Sequence, residues 1–117
     1  MFFKWKIFSA NLSPVIGSEQ KGTRPVLLIS DDDYSIVMPV VTILPLTSLK
    51  PGRKIYPNEI LITKQNYDKT GLPYDSVILA HQIRTISKKR LQNLIGSIDD
   101  TEIQEKINDA LKVHLNL

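Results

Sequence analysis

The sequence predicts a mainly β fold, a small antiparallel barrel with one C-terminal helix. Short apolar runs bounded by turn-forming residues predict the strands, at residues 5–8, 25–29, 40–46, 59–62 and 77–86. The runs lie close together, and no long helix separates them until the end of the chain, which favours antiparallel pairing and a sheet that curls into a barrel. A chain of 117 residues can bury a core without disulfides, so we expect a single domain over residues 1–117.

Two helices are predicted after the last strand. Ser87 is an N-cap candidate for a short helix that continues through the basic residues 88–90 and ends at Gly96. The second helix begins near residues 99–101, which offer cap candidates, and Thr101 with Gln104 fits a capping box. Apolar residues then recur every four positions on one face, which should pack on the barrel. They are Ile103, Ile107, Leu111 and Leu115.

The composition excludes several classes of protein. Hydrophobic residues make up 42% and charged residues 23% of the chain, as in ordinary folded proteins. The absence of cysteine excludes a disulfide framework and thiolate metal sites, and His81 and His114 are too far apart in sequence to indicate a zinc pair, so we expect no metal and no cofactor. Lys4 and Lys6 interrupt the apolar N-terminus, and no stretch approaches the roughly 20 apolar residues that span a bilayer. We therefore expect a cytoplasmic protein without a membrane partner.

The net charge of +3 is modest, but the basic residues are clustered. Lys50, Arg53 and Lys54 lie beside Tyr56, and a second basic cluster occupies residues 88–90. Taken alone, such runs favour solvated loops. They could also bind a single-stranded nucleic acid, because basic side chains neutralise phosphates and an aromatic ring stacks on a base.

Polar residues at three strand ends indicate a functional site. A loop between Gly17 and Gly22 carries Ser18 and Glu19 and leads through Arg24 into an uninterrupted apolar strand. Such loops, mounted on rigid strands, often carry function. The second strand end is Thr47 followed by Ser48, and the third lies within the strand that begins at Ser76.

In that third strand, an alternation of period two places Gln82 and Arg84 on one face, with His81 and Ile83 on the other. Arg84 facing the loop arginine would form a concavity for an anion, because guanidinium groups bind phosphate through paired donors. Thr47 should reach the same space. Ordinary roles remain open as well: a hydrogen bond from Gln82 that closes a sheet edge, an ion pair between Arg84 and Glu19, and a simple turn at Thr47.

Together these segments resemble the MazF/PemK/Kid family of bacterial type II toxins. The resemblance runs through NLSPVIGSEQKGTRPVLLIS, PLTS, DSVILAHQIRTISKKRL and the terminal helix, and so covers nearly the whole chain. It implies an SH3-like barrel of the PemK/CcdB-like toxin fold, a homodimer, and a sequence-specific, metal-independent endoribonuclease that cleaves single-stranded mRNA and inhibits translation. It also implies inhibition by a cognate antitoxin, which we expect to be acidic and partly disordered.

The resemblance also assigns roles to residues. Arg24 and Thr47 match the catalytic positions. The RNA-binding positions are matched by Ser18, Glu19, Ser48, Gln82 and Arg84. The implied reaction is attack of the ribose 2′-OH on its own phosphate, leaving a 2′,3′-cyclic phosphate and a 5′-hydroxyl. Arg24 suits the stabilisation of the phosphorane, whereas the general base stays open, since Thr47 is weakly basic and Glu19 near two arginines loses basicity.

Three positions depart from the family pattern. Trp5 and Lys6 stand where relatives commonly have an Arg-Gly-Asp-like stretch, and Ser87 stands where many have an acidic residue. His81 occupies a variable position, and strand alternation points it away from the site, so we leave it out of the predicted set.

Two other functions compete with the nuclease. One is a toxin of the same fold that binds and poisons a DNA topoisomerase, and the other is a non-catalytic RNA-binding barrel. The GSEQ loop with its following Arg-Pro and the Gln-Ile-Arg-Thr strand argue against the first. The combination of Arg24, Thr47 and Glu19 argues against the second.

Overall fold

The computed structural model describes residues 2–117, without the side chains of Tyr67 and Asp68, and in this part of the chain seven strands form one sheet. The strands are β1 (Lys6–Asn11), β2 (Thr23–Leu28), β3 (Val40–Ser48), β4 (Glu59–Ile62), β5 (Ser76–Leu79), β6 (Arg84–Ser87) and β7 (Leu91–Ser97). The α-helices are α1 (Asp32–Ser35), α2 (Tyr67–Thr70) and α3 (Thr101–Leu115). Short 3₁₀ turns cover Lys64–Asn66, Ala80–Gln82 and Lys88–Arg90. No helix of the described residues is long and apolar enough to cross a membrane.

The strands pair antiparallel in the order β4-β5-β3-β2-β1-β7, and β6 also pairs with β3. The two outer strands, β4 and β7, are not paired with each other within the described residues, so hydrogen bonds do not close the sheet. The prediction of a mainly β fold followed by a C-terminal helix is confirmed.

Side-chain alternation gives the sheet two apolar faces. One face contributes Leu27, Leu44 and Leu46 to a core that α3 covers through Ile107 and Ala110. The other face contributes Val26 and Ile43, among others, to a second core. Of the stripe predicted on α3, Ile107 is buried and Ile103 and Leu111 pack at the core's edge, but Leu115 is largely exposed.

The predicted strand at 77–86 is interrupted. β3 pairs with β5 through Leu46 and Ile78, and with β6 through Ile43 and Arg84. Three residues along β3 therefore correspond to six along the segment that contains β5 and β6. The additional residues of that segment form the turn Ala80–Gln82 opposite Pro45. Proline has no N–H to donate to a ladder, and the pairing is broken at this point of β3.

The prediction of a short helix that ends at Gly96 is wrong. Ser87 does act as a cap, since its hydroxyl accepts a hydrogen bond from the Lys89 N–H at 3.2 Å, but it caps only the 3₁₀ turn. The chain then continues as β7, in which Gly96 pairs with Ile7 of β1. Glycine is needed there because a Cβ would collide with the carbonyl of Thr70. Pairing along the open edge of β1 overrides the local helix signal.

The start of α3 also differs in detail from the prediction. Asp100 is the N-cap, and its carboxylate accepts from the Glu102 N–H at 2.8 Å. Gln104 donates its side-chain amide to the Ile98 carbonyl at 2.8 Å and does not form the predicted capping box with Thr101. Asp100 was one of the predicted cap candidates, but the box is wrong.

Trp5 adopts a left-handed backbone conformation, with φ of 70°. Its N–H donates to the Leu28 carbonyl and its own carbonyl accepts from the Ile98 N–H, both at 2.8 Å. The side chain packs against the core beneath α3. The departure from an Arg-Gly-Asp-like start therefore places a tryptophan in a conformation that glycine adopts without strain.

Candidate functional site

Two neighbouring depressions lie along β3. Continuing the alternation of β3 beyond Val41 and Ile43 places Pro45 and Thr47 on the face that carries the second core. The larger cavity, of about 420 Å³, includes Pro45 and is lined further by Ser18, Glu19, Gln20, His81, Gln82 and Arg84. The smaller one, of about 230 Å³, is lined by Thr23, Arg24, Pro25, Leu46, Thr47, Ser48 and Ser76.

Arg24 and Thr47 meet in the smaller cavity. The β2–β3 register pairs Val26 with Pro45, and its continuation places Arg24 opposite Thr47. Arg24 Nε donates to the Lys21 carbonyl at 2.8 Å, which fixes the guanidinium at one end. Within the described residues, neither its terminal nitrogens nor the Thr47 hydroxyl makes a further hydrogen bond. Both groups can therefore donate to a bound anion.

Gln82 and Arg84 support the loop that forms the other wall of the larger cavity. Gln82 Oε1 accepts from the Gln20 N–H at 2.8 Å, and Arg84 Nη1 donates to the Leu12 carbonyl at 3.0 Å. The side-chain amide nitrogen of Gln82 and the remaining guanidinium nitrogens of Arg84 make no hydrogen bond within the described residues. Both side chains thus hold the loop while keeping donors for a ligand.

Arg90 holds the base of the same loop, a role that the sequence analysis missed. Its Nη1 donates to the carbonyls of Asn11 and Ser13 at 3.0 and 2.6 Å. Across the loop, the Gly22 N–H donates to the Ser13 hydroxyl at 2.8 Å, and the Leu12 N–H donates to the Gly22 carbonyl at 3.0 Å. Arg90 was assigned to a basic cluster, and only its position in the fold reveals the contact.

Glu19 lies on the exposed part of the loop. Its Oε1 accepts from the Ile16 N–H at 2.8 Å, so the carboxylate caps its own turn. The ion pair with Arg84 that the sequence left open is absent from the ion pairs of the described residues. Ser18, next to it, is also exposed and lines the larger cavity.

The predicted residues therefore divide between two cavities instead of sharing one. Gln82 and Arg84 line the larger cavity, whereas Arg24, Thr47 and Ser48 line the smaller. Two strand steps separate Thr47 from Pro45 of the larger cavity, a distance of about 7 Å. The two cavities follow each other along β3, and a single anion-binding concavity shared by the two arginines stays a prediction.

His81 lines the larger cavity, contrary to the sequence prediction. The alternation that pointed it away from Gln82 does not apply, because both residues lie in the turn Ala80–Gln82 and not in a strand. Its Nε2 lies 3.1 Å from Oε2 of Glu59, and its ring meets the ring of His114 edge-on at 6.4 Å between centroids.

Glu59 is the centre of a buried polar cluster. Its side chain is only 2% exposed and forms a bidentate pair with Arg53, at 3.0 Å from Nη1 to Oε1 and 2.7 Å from Nη2 to Oε2. The Tyr56 N–H also donates to Oε1, at 3.1 Å. The hydrogen bonds from Arg53 lower the pKa of the Glu59 carboxyl to about 2 even though burial opposes ionisation.

Several residues of the two basic clusters are engaged within the protein. Arg53 binds Glu59, and the ammonium of Lys54 lies 5.3 Å from the centre of the Tyr56 ring. The ammonium of Lys88 lies 5.1 Å from the centre of the Phe3 ring. Through these contacts, part of the basic charge stabilises the fold.

The model of the family described as "PemK-like, MazF-like toxin of type II toxin-antitoxin system" matches residues 4–115. The chain belongs to this family. The family resemblance read from the sequence is therefore confirmed.

A curated member and solved structures agree with this assignment. Endoribonuclease EndoA of Bacillus subtilis (strain 168) is 40% identical over 111 residues, which cover 95% of this chain and 91% of that protein. A mycobacterial endoribonuclease in complex with its cognate antitoxin superposes with a TM-score of 0.79 at 20% identity, over 100% of this chain and 97% of that one. MazF from Deinococcus radiodurans gives 0.77 at 24% identity, over 97% and 96%. At these identities the structures establish the fold, which is that of the MazF toxins.

Proposed function

We propose that this protein is the sequence-specific endoribonuclease toxin of a type II toxin-antitoxin system. It cleaves single-stranded mRNA in the cytoplasm, needs no metal or other cofactor, and functions as one toxin domain over residues 1–117. Its membership of the toxin family and its 40% identity to an endoribonuclease support this function. The observation that carries it is that Arg24 and Thr47 line one cavity, beside a second cavity lined by polar residues.

The proposed reaction forms a bond between the ribose O2′ and the adjacent phosphorus and breaks the bond from phosphorus to O5′. The 2′-OH loses its proton and the leaving O5′ gains one, which gives a 2′,3′-cyclic phosphate and a 5′-hydroxyl. DNA lacks the attacking group and is not cleaved.

Arg24 stabilises the negative charge that develops on the phosphorane oxygens. Its fixed Nε leaves the terminal nitrogens to donate to two oxygens of one phosphate. A guanidinium stays charged at neutral pH, so Arg24 acts through charge and not as the base. Thr47 donates a hydrogen bond to the same phosphate. One such preorganised donor accelerates a reaction about 10²- to 10³-fold.

The RNA extends from this centre into the larger cavity. Ser48 continues the smaller cavity on β3, whereas Ser18, Glu19, Gln82 and Arg84 line the larger one. Hydroxyl, carboxylate and amide groups recognise the edges of unstacked bases, and Arg84 also offers its charge to a phosphate. We therefore propose that these five residues bind RNA.

The proposed partners are a second copy of the chain and an antitoxin. The mycobacterial structure contains an endoribonuclease with its cognate antitoxin, which supports the same arrangement here. A toxin with a net charge of +3 favours an acidic antitoxin, and a partly disordered segment can wrap such a surface and fold on binding.

Purified protein incubated with long single-stranded RNAs, and with DNA of the same sequences, tests the function, with EDTA in excess throughout. We expect RNA cleaved at a few recurring sites, cyclic phosphate ends and intact DNA. Several unrelated transcripts are used so that a rare recognition sequence is not missed. RNA left intact by excess protein would overturn the proposal and favour a toxin that binds another protein.

A further inference from the structure

We propose that His81 is a specificity-determining residue, one that contacts an RNA base in the larger cavity and is held in position by Glu59. This inference rests on the proposed ribonuclease function and extends it. The site residues predicted from the sequence do not include His81, because strand alternation pointed its side chain away from Gln82 and Arg84.

The fold delivers His81 to the cavity. The chain opposite Pro45 leaves the β3 ladder after Ile78 and rejoins it at Arg84, and the intervening turn carries His81 beside Gln82. Both line the same cavity, facing the loop that holds Glu19. The His81 side chain is 31% exposed, so part of the imidazole is accessible to a ligand.

Glu59 determines which nitrogen of the His81 imidazole donates a hydrogen bond. Because hydrogen bonds from Arg53 lower the pKa of Glu59 to about 2, its carboxylate is ionised at neutral pH and can only accept hydrogen bonds. The His81 nitrogen beside it, Nε2, must therefore carry a proton. In the neutral ring, Nδ1 is then an acceptor, and it has no hydrogen bond within the described residues.

The surroundings of His81 restrict its motion. Two hydrogen bonds from Arg53 and one from the Tyr56 N–H hold Glu59 in place, and the His114 ring lies edge-on to the imidazole with 6.4 Å between the ring centroids. A ring that is already ordered loses little entropy when a ligand binds. Its flat face can stack on a base, and Nδ1 can accept from a base N–H.

The competing explanation is that His81 only satisfies the buried carboxylate of Glu59. Two substitutions separate the explanations. In His81→Gln, the longer amide can still donate to Glu59 from near the Nε2 position. In His81→Asn, the shorter amide cannot reach Glu59 but places its oxygen near the Nδ1 position and so keeps the acceptor.

If His81 contacts a base, the two variants should rank in opposite order for thermal stability and for RNA recognition. Thermal unfolding should rank His81→Gln above His81→Asn. The ranking of RNA cleavage sites, mapped from the new 5′-hydroxyl ends, should stay closer to the parent in His81→Asn. Affinity is measured with an RNA oligonucleotide spanning the parent's preferred site and carrying one 2′-deoxy nucleotide at the scissile position. Losing one hydrogen bond predicts about 2- to 12-fold weaker binding by His81→Gln.

Asn108→Gln is the control, since Asn108 is exposed on α3 and does not line the cavity. It should cut the same sites with the parent's affinity. An unchanged site ranking and unchanged affinity in His81→Gln, from a parent that cleaves RNA, would overturn the assignment of His81 alone. A parent that does not cleave RNA would overturn the proposed function and this inference with it.

Discussion

Because of the ion pair between Arg53 and Glu59, the protein should lose stability as the pH falls into the acid range. The substitution Glu59→Gln keeps the size of the side chain but removes its charge. Arg53 then loses its bidentate partner, and the 2%-exposed site must bury an amide opposite a guanidinium. The variant should be less stable than the parent at neutral pH.

The size of the effect follows from the pKa of Glu59, which lies at about 2 in the folded protein against an ordinary 4.5. At about 1.36 kcal/mol for each pH unit between these values, ionisation of Glu59 stabilises the fold by about 3 kcal/mol at most. Arg53 is 28% exposed, and solvent screening reduces the figure, so we expect about 2 kcal/mol.

The direction follows from the lowered pKa. Stabilisation by Glu59 is complete above its ordinary pKa of 4.5 and is lost as the pH falls through that value towards 2. The difference in unfolding free energy between parent and Glu59→Gln should therefore be largest near neutral pH and shrink steadily below about pH 5.

Urea unfolding of both proteins, at one protein concentration and across this pH range, measures the difference. Glu105→Gln is the control, because Glu105 is an exposed carboxylate on α3 with no ion pair in the described part of the chain. It should unfold like the parent at every pH. A Glu59→Gln variant as stable as the parent at neutral pH, or a difference that does not change with pH, would show that the Glu59 carboxylate does not stabilise the fold through its charge.

Three further predictions concern the start of β1, the site loop and the smaller cavity. Trp5→Gly should be about 1 kcal/mol more stable than Trp5→Ala in urea unfolding, since both remove the ring but only glycine adopts φ of 70° without strain; equal stabilities would contradict this. Arg90→Ala should lower kcat/KM for RNA with partial recovery in Arg90→Lys, whereas Lys89→Ala, its exposed neighbour, should match the parent; equal effects at both positions would indicate a general loss of charge. Thr47→Val should slow single-turnover cleavage about 10²- to 10³-fold while Thr47→Ser keeps most of the rate, and a fast valine variant would remove Thr47 from the mechanism.

Local patterns predicted most of the fold because the apolar runs on β2, β3 and β4 coincide with buried strands. They failed where pairing with distant strands decided the structure. Residues 91–97 form a strand because β1 pairs with them, and Gly96 serves close packing against Thr70 and not helix termination. A local sequence signal contains neither contact.

The site shows the same limit. The loop and the strand end were predicted from their polar residues, and the structure places Arg24 with Thr47. His81 was missed because a period of two fails at the turn Ala80–Gln82, which the sequence does not mark. Arg90 was missed because its partners are carbonyls almost 80 residues earlier in the chain, as the 79-residue separation from Asn11 shows.

Whether Arg24 stabilises the phosphorane is tested by the single-turnover rate at which Arg24→Ala cleaves a defined RNA. Lys21→Ala provides the matched control, because it removes an exposed positive charge three residues away while its backbone carbonyl still binds Arg24 Nε. We expect the rate to fall at least about 10²-fold for Arg24→Ala, with an unchanged thermal unfolding curve, and to match the parent's rate for Lys21→Ala. A folded Arg24→Ala protein that cleaves at the parent's rate would show that Arg24 takes no part in catalysis.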